Sequence, residues 1–344
     1  MAALALGSES WPTPAPPPPL VGFSFSPVTS LEAGRDPAVD LRRLLDVTHP
    51  DLVRLPIYWE LVEPEPNELD FSSVDSLLQV VADHDRSADA ETQVILTVGA
   101  RNFMYPELHM PSWAGARGQP ALGAAQSGAA YRAYFVQSIT RYRSWPQLYA
   151  WQVENEPLDD VSFELTGDDR ISEQQLAWEM AEVHALDPHH QAVTTTYNGL
   201  NTTVDMLELL VPPVPLVTHM GTVGHPQGAL QVGDALGLDL YIDGPSVPLR
   251  LVTSTDLRLQ WKQQTVAFWA GRSRSAGKSV WLTEVQAKPW DTSGSFTPSD
   301  LEASAVAYRQ EPIHVALLWG VETWLVEPAW MSAGTHAMEI LRAS

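Results

Sequence analysis

Eight short apolar or β-branched runs, separated by stretches with helical periodicity, leave this chain few folds to choose from. They lie at 21–25, 52–57, 93–98, 148–153, 192–197, 236–242, 279–283 and 314–319. Several are apolar on consecutive residues, as parallel strands covered on both faces should be. Between them, Val74, Leu77, Leu78 and Val81 repeat at i, i+3, i+4 and i+7, with Ser72 and Asp75 spaced as a capping box. Tyr131, Tyr134, Phe135, Ser138, Ile139 and Tyr142 trace a second helical face, and Leu257, Trp261, Thr265 and Phe268 a third. Thr297-Pro298-Ser299-Asp300 reads as an N-cap, Pro at the first helical position and an acid in the first turn. Strand followed by helix, eight times over, predicts an α/β fold: a single (β/α)8 TIM barrel across residues 21–344. An open doubly wound sheet should carry a Gly-rich phosphate loop after its first strand, and Ser24-Phe25-Ser26-Pro27 offers none. Residues 1–20 are expected to be a disordered Pro-rich segment outside the barrel, because the Pro run at 8–20 suits neither a helix nor a central strand.

Two of the runs end on carboxylates. The fourth leads into Glu154-Asn155-Glu156-Pro157, and the seventh into Glu284. The C-terminal ends of barrel strands converge on one mouth, so Glu156 and Glu284 should face each other there. A carboxylic acid and a carboxylate placed in this way can protonate a leaving oxygen and attack an anomeric carbon, which is cleavage of a glycosidic bond. The same ends bring Arg54 and Trp59 from strand two, Asn155 from strand four, Asp239 and Tyr241 from strand six, and Trp319 and Trp324 from strand eight. An Arg beside the attacking carboxylate would keep it ionised, and a Tyr hydroxyl would donate to it. Glu154 alternates with Asn155 and should point away from the mouth. The long connection 99–125 adds Arg101, Asn102, His109 and Trp113 as cleft residues. The connection 211–233, with His219 and His225, approaches a strand start and is expected largely at the opposite end.

The formal net charge of -22 argues against nucleic acid, an anionic membrane surface or a polyanionic substrate, so a neutral glycan fits best. Thirteen Trp is a high count: most are expected in the core and between helices, and several to line a cleft, since flat apolar rings suit the C–H faces of sugars. Without Cys there is neither disulfide nor thiolate chemistry. His189-His190 precede the fifth strand, and no H-E-x-x-H spacing occurs, so no metal is expected. No G-x-S-x-G elbow occurs either. Asn201-Thr202-Thr203 matches a glycosylation sequon. No stretch is long and apolar enough to span a bilayer. Residues 1–7 lack the basic start of a signal peptide, while the Pro-rich segment suits a tether or a truncated leader, which favours an extracytoplasmic location.

The chain resembles the clan A glycoside hydrolases of the cellulase-like superfamily, retaining β-glycosidases built on TIM barrels. Glu154-Asn155-Glu156-Pro157 matches their fourth-strand motif, Leu282-Thr283-Glu284 the seventh, and Val53-Arg54-Leu55-Pro56 with Trp59 the second. The similarity runs from Gly22 onward. It implies Glu156 as acid/base and Glu284 as nucleophile, with no cofactor. It further implies that Asn155 binds a sugar 2-hydroxyl, that Tyr241 and Arg54 orient Glu284, and that Trp319 or Trp324 forms a sugar platform. Two departures stand out. Asp239-Leu240-Tyr241 replaces the His that many members carry two residues before the Tyr, and the nearest His after strand three is His109, deep in its loop. The expected activity is retaining hydrolysis of neutral β-linked oligo- or polysaccharides, with no protein partner implied. A transglycosylase would use the same residues, whereas a non-catalytic carbohydrate-binding barrel would keep the Trp-rich cleft without the carboxylate pair.

Overall fold

The computed structural model describes residues 17–104, 107–115, 122–159, 171–197, 224–244, 253–290 and 295–343. Each apolar run forms a strand: β1 (Leu20–Ser24), β2 (Leu52–Tyr58), β3 (Gln93–Gly99), β4 (Leu148–Val153), β5 (Gln191–Tyr197), β6 (Ala235–Leu240), β7 (Val280–Gln286) and β8 (Val315–Trp319). Neighbours pair in parallel in sequence order, and β1 closes on β8 from Leu20↔Val315 to Phe23↔Leu318. The result is a closed (β/α)8 barrel. Its first strand begins at Leu20, one residue inside the segment assigned to the Pro-rich start. Two other ends differ usefully from expectation. β7 runs on to Gln286, which puts Glu284 within the strand, and β6 stops at Leu240, which frees Tyr241 to start a loop.

The helices are α1 (Pro27–Glu32), α2 (Pro37–Thr48), α3 (Trp59–Val62), α4 (Ser72–Ala88), α5 (Ala125–Tyr142), α6 (Glu173–Leu186), α7 (Pro226–Val232), α8 (Thr255–Ser275), α9 (Pro298–Tyr308) and α10 (Pro328–Arg342). The α5 face is buried as its periodicity predicts. Thr297 and Asp300 form the reciprocal cap of α9, with Pro298 at its first turn. The cap expected at α4 is absent. Its N-cap is Phe71, Ser72 N–H donates to Asp70, and Asp75 instead accepts from Tyr142 Oη across the helix pair. The α8 stripe is also displaced: Arg258, Lys262, Thr265 and Trp269 are buried, while Leu257 is exposed. Arg258 can be buried because its guanidinium donates to the Ile242 and Thr253 carbonyls.

The barrel interior is layered. Leu52, Ile95, Ala150, Val193, Ala235, Trp281 and Val315 form an apolar plug near the strand starts. Further along the strands the interior turns polar, with Ser24, Arg54, Thr97, Gln152, Thr195, Asp239 and Thr283 all buried. That polar layer is the floor of the mouth. The segment Gly224–His225 is also at the mouth end, since His225 N–H donates to Asp159 and Thr196 beyond β4 and at the end of β5. Of the connection expected at the far end, residues 224–225 therefore lie at the mouth, and α7 leads from there to the start of β6. His219 and the Asn201 sequon lie outside the described residues.

Candidate active site

Glu284 is held from two sides. Arg54 Nη2 donates to its Oε1 at 2.8 Å, and Tyr241 Oη donates to its Oε2. Each guanidinium nitrogen donates: besides Nη2, Nε donates to Ser24 Oγ at 2.8 Å and Nη1 to Gln152 Oε1 at 2.8 Å, with the Phe103 ring 4.0 Å from Cζ. Four strands thus meet on one buried cation. Burial, then the charge of Glu284, pushes the Tyr241 phenol well above its usual range, so it stays a donor. Both Glu284 oxygens accept from fixed donors, an arrangement suited to a carboxylate.

Glu156 has the opposite setting. It is nearly buried, and no hydrogen bond reaches its carboxyl among the described residues; its backbone N–H donates to Thr195 Oγ1 at 2.9 Å and its carbonyl accepts from Asp159 N–H at 3.1 Å. Burial, and then the charges of Glu107, Asp239, Asp159 and Glu284, push its pKa well above the carboxylate range. One carboxyl is thus arranged as an anion and the other as an acid, within electrostatic reach of each other.

The turn carrying Glu156 is unusual. Glu154 and Glu156 both adopt left-handed backbone, at φ 59° and 46°, so the strand alternation breaks on either side of Asn155. Glu154 points away from the mouth, as expected, though through a left-handed turn and not through regular strand alternation. Its carboxylate accepts from the backbone N–H of Ala100 at 2.9 Å and Arg101 at 2.5 Å, and from Tyr131 Oη at 2.8 Å. Asn155 is anchored by its oxygen, which accepts from Gln152 Nε2 at 3.0 Å and Thr195 Oγ1 at 3.3 Å. Its side-chain NH2 has no partner among the described residues, while its backbone N–H donates to the Arg101 carbonyl at 3.2 Å.

Other expected site residues are placed differently. Arg101 is a buried clamp, donating to the Asn155 carbonyl at 2.9 Å and to Glu107. Asn102 is spent on backbone, donating to the Thr97 carbonyl and accepting from Phe103 N–H. Trp59 does not line the mouth: it is fully buried, donates to Glu63 at 2.8 Å and packs on Tyr131 and Tyr134. The apolar surface under α5 captures the ring. Trp113 rests edge-on against Trp59 and donates to the Glu63 carbonyl. Trp324 is buried beneath α10, donating to the Ala287 carbonyl, with its ring where a Gly334 side chain would be. Trp319, the last residue of β8, lies beside Tyr241 with ring centroids 5.4 Å apart. His109 stacks on Tyr58 and pairs with Glu60.

Sequence reasoning passed over four residues. Trp290 stacks on Trp319 and meets Tyr241 edge-on, and Tyr197 completes that aromatic cluster. Lys288 lies over Trp319. Glu107 exerts the largest charge effect on Glu156. A signal existed for two of them: Glu107 is the sole acid in residues 99–125, and Trp290 follows Glu284 closely enough to reach the same mouth.

No protein-family model and no characterised protein sequence matches the chain. Solved structures do. A GH5_18 from Streptomyces cattleya in complex with GlcNAc is 14% identical with a TM-score of 0.66, covering 96% of this chain and 82% of its own. A GH5_18 variant from the same organism, in complex with Manb1-4GlcNAc, is 13% identical with a TM-score of 0.60 over 88% of this chain and 70% of its own. The exo-beta-1,4-mannosidase Op5Man5 from Opitutaceae bacterium strain TAV5 is 16% identical with a TM-score of 0.57, covering 95% and 59%. The chain shares their fold. At such identities the barrel is what is common, and chemistry must be argued from the side chains.

Proposed function

We propose that this chain is a retaining β-glycoside hydrolase acting on neutral β-linked glycans, with a β-mannoside as the first glycon to test. The observation that carries the reading is the asymmetry of the carboxyl pair. Glu284 accepts from Arg54 and Tyr241, while the Glu156 carboxyl is buried, without a hydrogen-bond partner among the described residues, and pushed toward its acid form. In the first step Glu284 attacks the anomeric carbon as Glu156 gives its proton to the leaving oxygen, and the C–O bond breaks. A glycosyl ester of Glu284 results. With that negative charge gone, Glu156 ionises more readily, takes a proton from water, and hydroxide equivalent attack at the same carbon releases Glu284. Asn155, anchored by its oxygen, presents its amide donors to the sugar 2-hydroxyl, and Trp319 with Trp290 forms the apolar wall beside the ring. The β-mannoside choice follows the neighbours: one structure holds Manb1-4GlcNAc and another is an exo-beta-1,4-mannosidase.

The test is hydrolysis of 4-nitrophenyl β-D-mannoside, glucoside and galactoside, and of Manb1-4GlcNAc, with product anomers followed by NMR. Wild type should release the β-anomer first, and Glu284→Gln should lose at least about 10³-fold in kcat. Initial release of the α-anomer, or a Glu284→Gln variant as active as wild type, would sink the double-displacement reading.

A further inference from the structure

The ends of β7 and β8 meet over one aromatic ring. Lys288, two residues past β7, is half-buried with its Nζ 4.6 Å from the centroid of Trp319. Its stem crosses the Cα of Gly320, where an added Cβ would stand 2.5 Å from Lys288 Cγ and 2.6 Å from Cδ. Gly320 also has φ 92°, so this position is kept bare both by its backbone and by the lysine lying across it. Trp319 in turn stacks on Trp290 and touches Tyr241, which donates to Glu284. The ammonium is therefore delivered to the wall of the proposed glycon pocket by two strand ends.

What it does there is the question. Among the described residues no carboxylate or carbonyl accepts a hydrogen bond from Lys288 Nζ. The acid that bears on it, Glu322, accepts from Ser26 N–H at 2.6 Å. Burial lowers the lysine's pKa, as expected for a cation short of water and of partners. An ammonium has three donors and no acceptor, and partial desolvation without an acceptor costs free energy that a ligand oxygen would return.

We propose that Lys288 is a specificity-determining residue whose ammonium donates to a hydroxyl oxygen of the sugar ring seated against Trp319. This rests on the glycosidase reading above. A hydroxyl is favoured over a carboxylate because the charge of Glu284, which bears on Glu107, Glu156, Asp239 and Tyr241 in the same mouth, would repel a uronic acid. A lysine serving only to brace Trp319 behaves differently, which makes the two separable.

Lys288→Met keeps the stem and its packing on Gly320 while removing the donors. On 4-nitrophenyl β-D-mannoside, kcat/KM should fall about 10- to 100-fold, the usual worth of a charged hydrogen bond. On one of the 3-, 4- or 6-deoxy β-D-mannosides, variant and wild type should become equal, because that substrate lacks the accepting hydroxyl. An equal loss on parent and all deoxy substrates would mean a bracing role and overturn the proposal. A loss confined to 4-nitrophenyl β-D-glucuronide would overturn it in favour of carboxylate recognition. A second arm does not need turnover: mannose and Manb1-4GlcNAc are titrated by tryptophan fluorescence into Glu284→Gln, with and without Lys288→Met. Weaker binding in the double variant supports the lysine's role even if no glycoside is hydrolysed, which would count against the glycosidase reading alone. Equal binding, or none to either protein, overturns the proposal.

Discussion

At the scale of single residues the site is governed by one buried cation and one buried acid. Arg54 links Ser24, Gln152 and Glu284 with no exposure to solvent. Breaking such a pair leaves a buried charge uncompensated, so Arg54→Met should cost about 3–5 kcal/mol in urea unfolding. Adding Glu284→Gln should recover part of that loss, and strictly additive free energies would show that the two side chains are not coupled. The ion pair also means that stability alone cannot separate a catalytic Glu284 from a structural one, and only kinetics can. Glu156 answers to pH. Its raised pKa keeps the acid form into a range where ordinary carboxyls are ionised, so its deprotonation should set the alkaline limb of kcat/KM. Glu107 is the largest charge acting on it after burial. Glu107→Gln removes that repulsion, makes Glu156 easier to ionise and should move the alkaline limb to lower pH. An unmoved limb would assign it to another group.

At the scale of elements, the decisive piece is the turn after β4. Its left-handed residues hold because the Glu154 carboxylate fills the space beside Gly99, where a Cβ would come within 2.4 Å of the carboxyl carbon. Gly99 itself has φ 143°, a backbone that side chains rarely adopt. Gly99→Ala should therefore cost about 2–4 kcal/mol through overpacking and backbone strain together. It should also lower kcat more than KM rises, since it dislodges Asn155 and Glu156. A thermal midpoint and kcat both near wild type would show that the turn does not depend on this contact. On the outer side of the same turn, Tyr131 Oη lies within hydrogen-bond reach of both Glu154 and Glu179. One hydroxyl proton cannot serve two carboxylates, so one acid keeps its own. Burial and the charge of Glu154 push Glu179 well up, which identifies it as the protonated member.

At the scale of the whole molecule, the buried acids set the response to pH. Glu107, Glu154, Glu156, Asp159, Glu179, Asp239 and Glu322 are all raised, each chiefly by burial. A raised carboxyl binds its proton more tightly folded than unfolded. Its stabilisation is complete below the ordinary carboxylate range and is lost as pH rises through the folded value. Self-repulsion from a net charge of -22 works in the same direction. Tm should therefore be higher near pH 5 than near pH 9 in scanning calorimetry. Glu179→Gln, which mimics the protonated form, should flatten that slope, and a Tm that rose with pH would contradict the assignment.

The amino-acid sequence alone determined the number of strands, their order and the strand ends that meet at the mouth. Those are properties of local apolar periodicity, and eight repeated units have one low-energy way to cover both faces of their strands. It also carried Glu156, Glu284, Arg54, Asn155 and Tyr241 to a shared end of the barrel, because strand position sets which end a side chain occupies. The tertiary structure decided the rest. Whether a Trp lines a cleft or fills a core depends on which neighbours surround it, so Trp59 and Trp324 went inside while Trp290, with no strand to announce it, came to lie on Trp319. Glu107 and Lys288 reach the mouth from loops, where a left-handed residue or a bare glycine at another strand's end sets the direction. Local pattern encodes which layer a segment joins; contacts between distant segments decide what each side chain faces once it is there.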